Sequence, residues 1–301
     1  MKQANRQSAR TARSAGVART VSQTENVDEI VRNEATPNEE DAQASAAAPA
    51  GDPNFMTSLE RGLAVLQAFS QERRVLTTSQ ISQRTGIPRA AVRRCLYTLA
   101  KLGFVAEEDN RLFSLRPRVL KLGHGYLAST PLAHAAQPVL RHLSSTLNES
   151  CSVAILDGDE ILYIARASTS RIMSIDLHIG SRLPAYCTSM GRVLLAQLSE
   201  QEIDAYLDRT KRIQYTPRTI VSRDGLRSTL ESVRTNGYAL IDQELEIGLR
   251  SIAVPIHGAD GRAIAALNVG VQAARISIAE MESRILPALR EGAQELGLLS
   301  V

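Results

Sequence analysis

Along residues 57–102 apolar positions return at helical spacing, interrupted by glycine and proline at the places where helices stop and start. In "TSLERGLAVLQAFS" Leu59, Leu63 and Leu66 recur at intervals of four and three, which predicts a helix with those leucines on its inward stripe. Thr57 or Ser58 is placed to cap it, and Glu60 falls in its first turn, where the helix dipole favours an anion. In "LTTSQISQRTG", Thr77 followed three residues later by Gln80 fits a capping box. Ile81 is the buried anchor, Ser82 is small enough for close helix approach, and Gly86 supplies a left-handed stop. Pro88 fits the first position of a third helix, where its missing N–H costs nothing. Val92, Cys95, Leu96, Leu99 and Leu102 make one face of that helix, and Gly103 ends it. "FVAE" and "RLFSL" flank Glu108, Asp109 and Asn110 as a short hairpin. Three helices with a tight turn between the second and third, then a hairpin, are the order of a winged helix-turn-helix.

The pattern changes beyond residue 116. Residues 116–129 read as a connecting helix broken or softened at Gly123 and Gly125, and residues 131–148 as a second helix with Leu140, Leu143 and Leu147 on one side. "SCSVAILDGDEILYIARA" is two apolar strands joined at Asp157-Gly158-Asp159-Glu160, and residues 171–180 are expected to form a third. Helices follow at "TSMGRVLLAQLS", capped near Thr188 or Ser189, at "SEQEIDAYLDR", and at Arg223–Asn236, stopped by Gly237. A strand hairpin turns between Gly258 and Gly261, and residues 277–298 close the chain as a helix. The fold class predicted is α+β, with an antiparallel sheet covered by helices in the second domain. The expected organisation is an unstructured extension at 1–55, a winged helix-turn-helix at 56–116, a linker helix at 117–130 and a ligand-binding domain at 131–301.

Charge sharpens this division. The formal net charge is only +3, yet residues 56–123 hold 12 Lys and Arg against 5 Asp and Glu, while the segments on either side are each at −2. One segment therefore carries the whole basic excess, and a polyanionic partner is expected for it. Arg84, Arg89, Arg93 and Arg94 fall within eleven residues of it. Taken alone, an amphipathic helix with such arginines reads as a solvated surface. With capping box, glycine turn, proline start and hairpin all in register, the exposed face of Arg89, Ala90, Arg93, Arg94 and Tyr97 reads as one that enters a major groove. The arginine fork matches guanine O6 and N7, and other arginines can hold phosphates. The alternative is a small-molecule sensor acting through protein contacts without DNA, against which the localised charge argues. The residues before the first helix, basic at 1–20 and acidic at 25–41, have almost no large apolar side chains from which to build a core.

The three cysteines, Cys95, Cys151 and Cys187, form no CxxC pair or disulfide framework, which suits a reducing cytoplasm. No apolar run is long enough to span a membrane, so no membrane partner is expected. The five histidines lack metal-ligand spacing, "TSMGR" is not GxSxG, and Cys187 with His178 is a weak thiol–base pair, so neither an enzyme nor a metal or other cofactor is expected.

Four stretches, "SLERGLAVLQAF", "RTGIPRAAVRRCLYTLAKLGFV", "GSRLPAYCTSMGRVLLA" and "LEIGLRSIAVPI", carry a resemblance to the IclR family of bacterial transcriptional regulators, covering about residues 56–299. The last two, with "AALNV", are most similar to the branch governing protocatechuate, 4-hydroxybenzoate and related β-ketoadipate-pathway genes. The resemblance implies a GAF-like effector domain, a dimer or dimer of dimers, a palindromic promoter site and action as activator or repressor. It places Thr78, Ser79, Arg89, Ala90, Arg93 and Arg94 near DNA, with Arg84 beside them from its own position. It lines an effector cavity with Gly180, Leu183, Pro184, Ala185, Thr188, Ser189, Met190, Asp242, Glu244 and Ser251. The hairpin lacks the glycine often seen at the wing's turn, which weakens the case for wing contacts. A small carboxylate is the effector expected at "YCTSMGR", where a helix N-terminus, the hydroxyls of Thr188 and Ser189, and Arg182 or Arg192 could receive it.

Overall fold

Thr77 closes a full capping box: Gln80 N donates to its Oγ1 at 3.2 Å while Thr77 N donates to Gln80 Oε1 at 2.8 Å. That box starts one of the helices in a computed structural model that describes residues 52–70, 73–169 and 177–299. The expected unstructured stretch 1–55 lies almost wholly outside the described residues, as does most of the strand expected at 171–180, whose described end forms no strand. The described chain divides into two compact units between Val119 and Leu120, so the linker expected at 117–130 straddles the division.

The first unit holds α1 (Thr57–Gln67), β1 (Val75–Thr77), α2 (Thr78–Thr85), α3 (Arg89–Lys101), β2 (Val105–Glu108) and β3 (Leu112–Leu115). Its three strands run antiparallel in the order β1-β3-β2, so the expected hairpin gains a third strand from the residues just before α2. Gly86 is left-handed at φ 66°, and Ser82 Oγ donates to Ile87 O at 2.7 Å, which folds the turn back on α2. Val65, Ile81, Val92 and Leu96 are fully buried together.

Several local expectations need correction here. No side chain caps α1: its N-cap is Met56, not Thr57 or Ser58. Leu59 and Leu63 are 57% and 48% exposed, because α1 turns Val65 and Ala68 inward instead. Leu102 is half-exposed at the end of α3, past the last turn that packs. Pro88 is the N-cap of α3, one residue earlier than expected, with ψ 139° still outside the helical region.

The second unit opens with α4 (Leu120–Ser129), unbroken at Gly123 and Gly125 because neither adopts a positive φ, and α5 (Pro131–Leu147), which α4 touches. A six-stranded antiparallel sheet follows, in the order β6-β5-β4-β9-β8-β7. Its strands are β4 (Ser150–Asp157), β5 (Glu160–Ala167), β6 (Arg182–Pro184), β7 (Ala239–Asp242), β8 (Leu249–His257) and β9 (Ala263–Gln272). Strands β6 and β7, too short to show alternation, were not expected. The other helices are α6 (Ser189–Leu195), α7 (Glu200–Arg209), α8 (Arg223–Asn236), α9 (Ile278–Glu280) and α10 (Leu286–Leu298), the last two joined by a π-turn.

Both sheet faces are covered. Cys151, Val153, Ile252 and Leu267 pack with α5 and α10, whereas Ala154, Tyr163, Ala253 and Ala266 pack with α6, α7 and α8. The second face carries mostly alanine and serine near β4, β8 and β9, which leaves space beneath α6. Among the described residues no helix is long and apolar enough to cross a membrane.

Candidate functional site

On α3 the sequence alternates between two faces, and the structure separates them cleanly. Val92, Leu96 and Leu99 are buried, while Arg89, Ala90, Arg93, Arg94 and Tyr97 are exposed. Lys101 Nζ stands 5.5 Å from the centre of the Tyr97 ring, adding a further cation to that surface. From α2, Ser79 is exposed and Thr78 and Arg84 are half-buried. The hairpin tip forms without glycine: Asn110 at φ 63° and Arg111 at φ 59° both take the left-handed conformation. Asparagine tolerates that region through local hydrogen bonding; arginine accepts it at a cost of about 1–2 kcal/mol. This unit offers an exposed cationic surface that a nucleic acid can meet.

The second unit holds a cavity of about 50 Å³ between α6 and the sheet. On that measure one water takes about 10–15 Å³, so the enclosed space is that of about three to five waters. Its walls come from β4, β5, β8 and β9, from the turn before α6, and from the β7–β8 loop. Gly191 permits the close seat of α6, because a Cβ there would collide with the backbone of Ala185.

Of the residues expected around an effector, Leu183, Thr188, Ser189, Met190 and Ser251 line this cavity. Gly180, Pro184, Ala185, Asp242 and Glu244 do not. Gly180 donates its N–H to Tyr163 O at 2.8 Å, and Pro184 O accepts from Thr188 Oγ1 at 3.1 Å. Asp242 is held by Arg250 Nε at 2.5 Å and by Arg218. Burial alone would raise its pKa, but the Arg250 hydrogen bond, Gln243 and both guanidinium charges outweigh it, and the carboxyl is held below its usual range.

Glu244 takes a different role. Its two carboxylate oxygens accept from Arg192 Nη1 and Nη2 at 2.7 and 2.6 Å, and Oε2 also accepts from Ile220 N at 3.0 Å. Arg192 is among the largest fully enclosed side chains, and its Nε donates to Tyr186 O at 2.8 Å. The expectation that Arg192 or Arg182 waits for a carboxylate is thus corrected. Arg182 is engaged at 2.6 Å with both Asp157 and Glu160 on the surface.

The helix N-terminus is also engaged. Thr188 caps α6, with Gly191 N donating to its Oγ1 at 3.2 Å, and its own proton goes to Pro184 O. Ser189 is not the cap. Its Oγ is buried in the cavity wall with no hydrogen-bond partner among the described residues, and so is Asn268 Oδ1. Buried polar atoms of this kind are rare, and in a cavity wall they can bond the polar groups of a small molecule. Arg166 lines the same cavity and donates from Nη1 to Ser152 Oγ at 3.0 Å.

Arg166 and Asn268 escaped the reading of the sequence for a reason visible in the register. Ser152 pairs with Arg166 on one side and with Asn268 on the other, which makes a polar row across β5, β4 and β9. Each of the three interrupts an otherwise apolar strand, and that interruption was the available signal. Only strand pairing makes the three one feature.

Comparison with known proteins agrees with this two-part reading. Residues 58–109 match the IclR helix-turn-helix domain, and residues 124–298 match the C-terminal domain of bacterial IclR transcriptional regulators. The chain is 54% identical to the Pca regulon regulatory protein of Pseudomonas putida, over 82% of this chain and 84% of the relative. A solved transcriptional regulator from Rhodococcus sp. RHA1 is 47% identical at TM-score 0.72, covering 82% of this chain and 98% of its own. The inducer-binding domain of a PobR double mutant from Acinetobacter, solved with 3-hydroxybenzoic acid, is 34% identical at TM-score 0.52, covering 54% of this chain and 95% of its own.

Proposed function

The chain belongs to the IclR family of bacterial transcriptional regulators, and from that membership we propose that it reads a palindromic promoter site through α3 and is controlled by a small aromatic or pathway-derived carboxylate in the cavity beneath α6. In this reading Arg89, Ala90 and Arg93 meet base edges, Arg94 and Arg84 meet phosphate, and Thr78 and Ser79 seat the N-terminus of α2 on the backbone. The observation that carries it is the exposure of Arg89, Arg93 and Arg94 on a helix whose other face is locked into the core.

Within the cavity, Arg166 supplies the charge that a carboxylate requires, and Ser189 and Asn268 supply a hydroxyl and an amide for a second polar group on the ligand. Leu183, Met190 and Leu245 give a ring an apolar bed. The relatives in pca and pob regulation, one domain of them holding 3-hydroxybenzoic acid, point to the same ligand class. A palindromic site requires two copies, so the working form is a dimer or a dimer of dimers in the cytoplasm. The ligand acts only through its different affinity for two arrangements of the DNA-binding units.

Two measurements test this together. Gel shifts on the DNA upstream of the gene should show affinity falling ~10³-fold between low and moderate salt, as counterion release at about six phosphates requires. Isothermal titration with 4-hydroxybenzoate, protocatechuate and β-ketoadipate should give heat with at least one of them. A protein that binds no duplex at low salt would instead be a sensor acting through protein contacts.

A further inference from the structure

Two chain segments that are remote in sequence converge on Glu244. Its carboxylate is gripped by Arg192 of α6 and by Ile220 N, and its carbonyl oxygen accepts from Thr219 Oγ1 at 2.6 Å. Thr216 Oγ1 donates to the neighbouring Gln243 O at 2.8 Å. Glu244 is also the second residue of the β7–β8 loop, which is tied at its base: Gln243 N donates to Leu249 O at 2.9 Å, and Gly248 N donates to Gln243 Oε1 at 3.0 Å. Leu245 and Glu246 of that loop and Leu249 at the start of β8 line the cavity on the loop side, and Ser189 and Met190 of α6 line it on the helix side. Arg192 additionally holds Tyr186 O, in the turn that leads to Cys187 and Thr188 in the cavity wall. Neither Arg192 nor Glu244 lines the cavity.

We infer that Arg192 and Glu244 are positioning residues that clamp the two walls of the effector cavity together, setting ligand affinity without touching the ligand. The inference rests on reading that cavity as the effector site. A buried ion pair is a poor source of net stability but a directional one: its geometry admits one distance and one orientation between α6 and the loop. Apolar contacts alone would let Leu245 and Met190 slide past each other, because they have no preferred direction. The pair therefore decides the width of the cavity, and the residues inside it decide the chemistry.

The test uses the full-length chain and two readouts. Amide exchange without any ligand should quicken about tenfold or more at 245–249 and 189–191 in E244Q, with exchange at Leu140 and Val269 unchanged. Titration with 4-hydroxybenzoate, protocatechuate and β-ketoadipate should show E244Q weakened tenfold or more toward whichever acid the parent binds, with E244D recovering part of the loss. Because E244Q leaves a buried charge and can destabilise the domain, the paired replacement R192M/E244L is measured beside it. It removes both charges, and it should keep the weakened binding and rapid local exchange while regaining thermal stability. Parent-like affinity in E244Q or in R192M/E244L, or unchanged ligand-free exchange, overturns the positioning role alone. A parent protein that binds none of the three acids overturns the cavity assignment and this role with it.

Discussion

Arg192 and Glu244, separated by 52 residues in the chain, meet as a two-pronged ion pair with side chains only 2% and 9% exposed. Removing one partner strands a charge that the surrounding protein cannot solvate. E244A should therefore lower unfolding free energy by about 3–5 kcal/mol, and R192M/E244L should regain most of that loss. Urea denaturation of the three proteins at neutral pH checks both statements. A cost near zero for the single replacement would mean that water reaches the site.

The DNA surface makes a prediction about specificity as well as affinity. R89A or R93A should cost about 1–3 kcal/mol on the operator and flatten the preference for it over random duplex. R84A should weaken both duplexes by a similar factor and reduce the salt slope by about one, as expected for a phosphate contact. Equal losses on both duplexes for all three variants would move the base readers elsewhere on α3.

Ser189 lends itself to an opposite-sign test. Its hydroxyl is buried without a partner among the described residues, so S189A should leave the ligand-free protein as stable as the parent or slightly more stable. The same replacement should weaken binding of the acid a few-fold. Arg166→Met should weaken it more, about 10–100-fold, since a hydrogen bond to a charged group is worth about 1.5–3 kcal/mol. Thermal melts with and without ligand separate the two effects.

Cysteine reactivity should divide the chain. Burial pushes the Cys151 and Cys187 thiols up to about 12, with Glu149 adding to the first and Arg192 partly opposing the second. Both stay protonated and enclosed at pH 8. The half-buried Cys95 is also raised by burial, but Arg61 and Arg94 oppose the shift. A thiol reagent at pH 8 should label Cys95 first and reach the other two only on unfolding. Fast labelling of Cys187 would reveal an open cavity.

Asp242 ties stability to pH in a calculable direction. Its folded pKa lies below the unfolded value of 3.8, so its contribution is fully present above that value. The contribution fades as pH falls through the lower, folded pKa. D242N should therefore destabilise the protein at pH 7, and the difference from the parent should shrink below about pH 4. Denaturation midpoints at pH 3, 5 and 7 measure it.

Local rules made much of this molecule legible before any coordinates. The Thr77–Gln80 box, the left-handed Gly86 and the division of α3 into Leu96 and Arg93 faces each depend on residues within one turn of each other. The charge of +7 over 68 residues followed from counting. Where such rules were pressed further they failed. Leu59 and Leu63 have helical spacing but face solvent, because spacing identifies a stripe without saying which stripe another element will cover. Glu244, placed at the effector by the family resemblance, lies outside the cavity lining and is held by Arg192, whose guanidinium the sequence offered to an acid. Arg166, Ser152 and Asn268 form one polar row only once β4 lies between β5 and β9. Amino-acid order alone thus determined the Thr77–Gln80 cap, the Gly86 turn, the two faces of α3 and the seat of the charge, since these features span a few residues. Packing and strand register decided the cavity and its clamp, because both join distant parts of the chain, and which parts meet depends on how the whole domain buries its apolar surface.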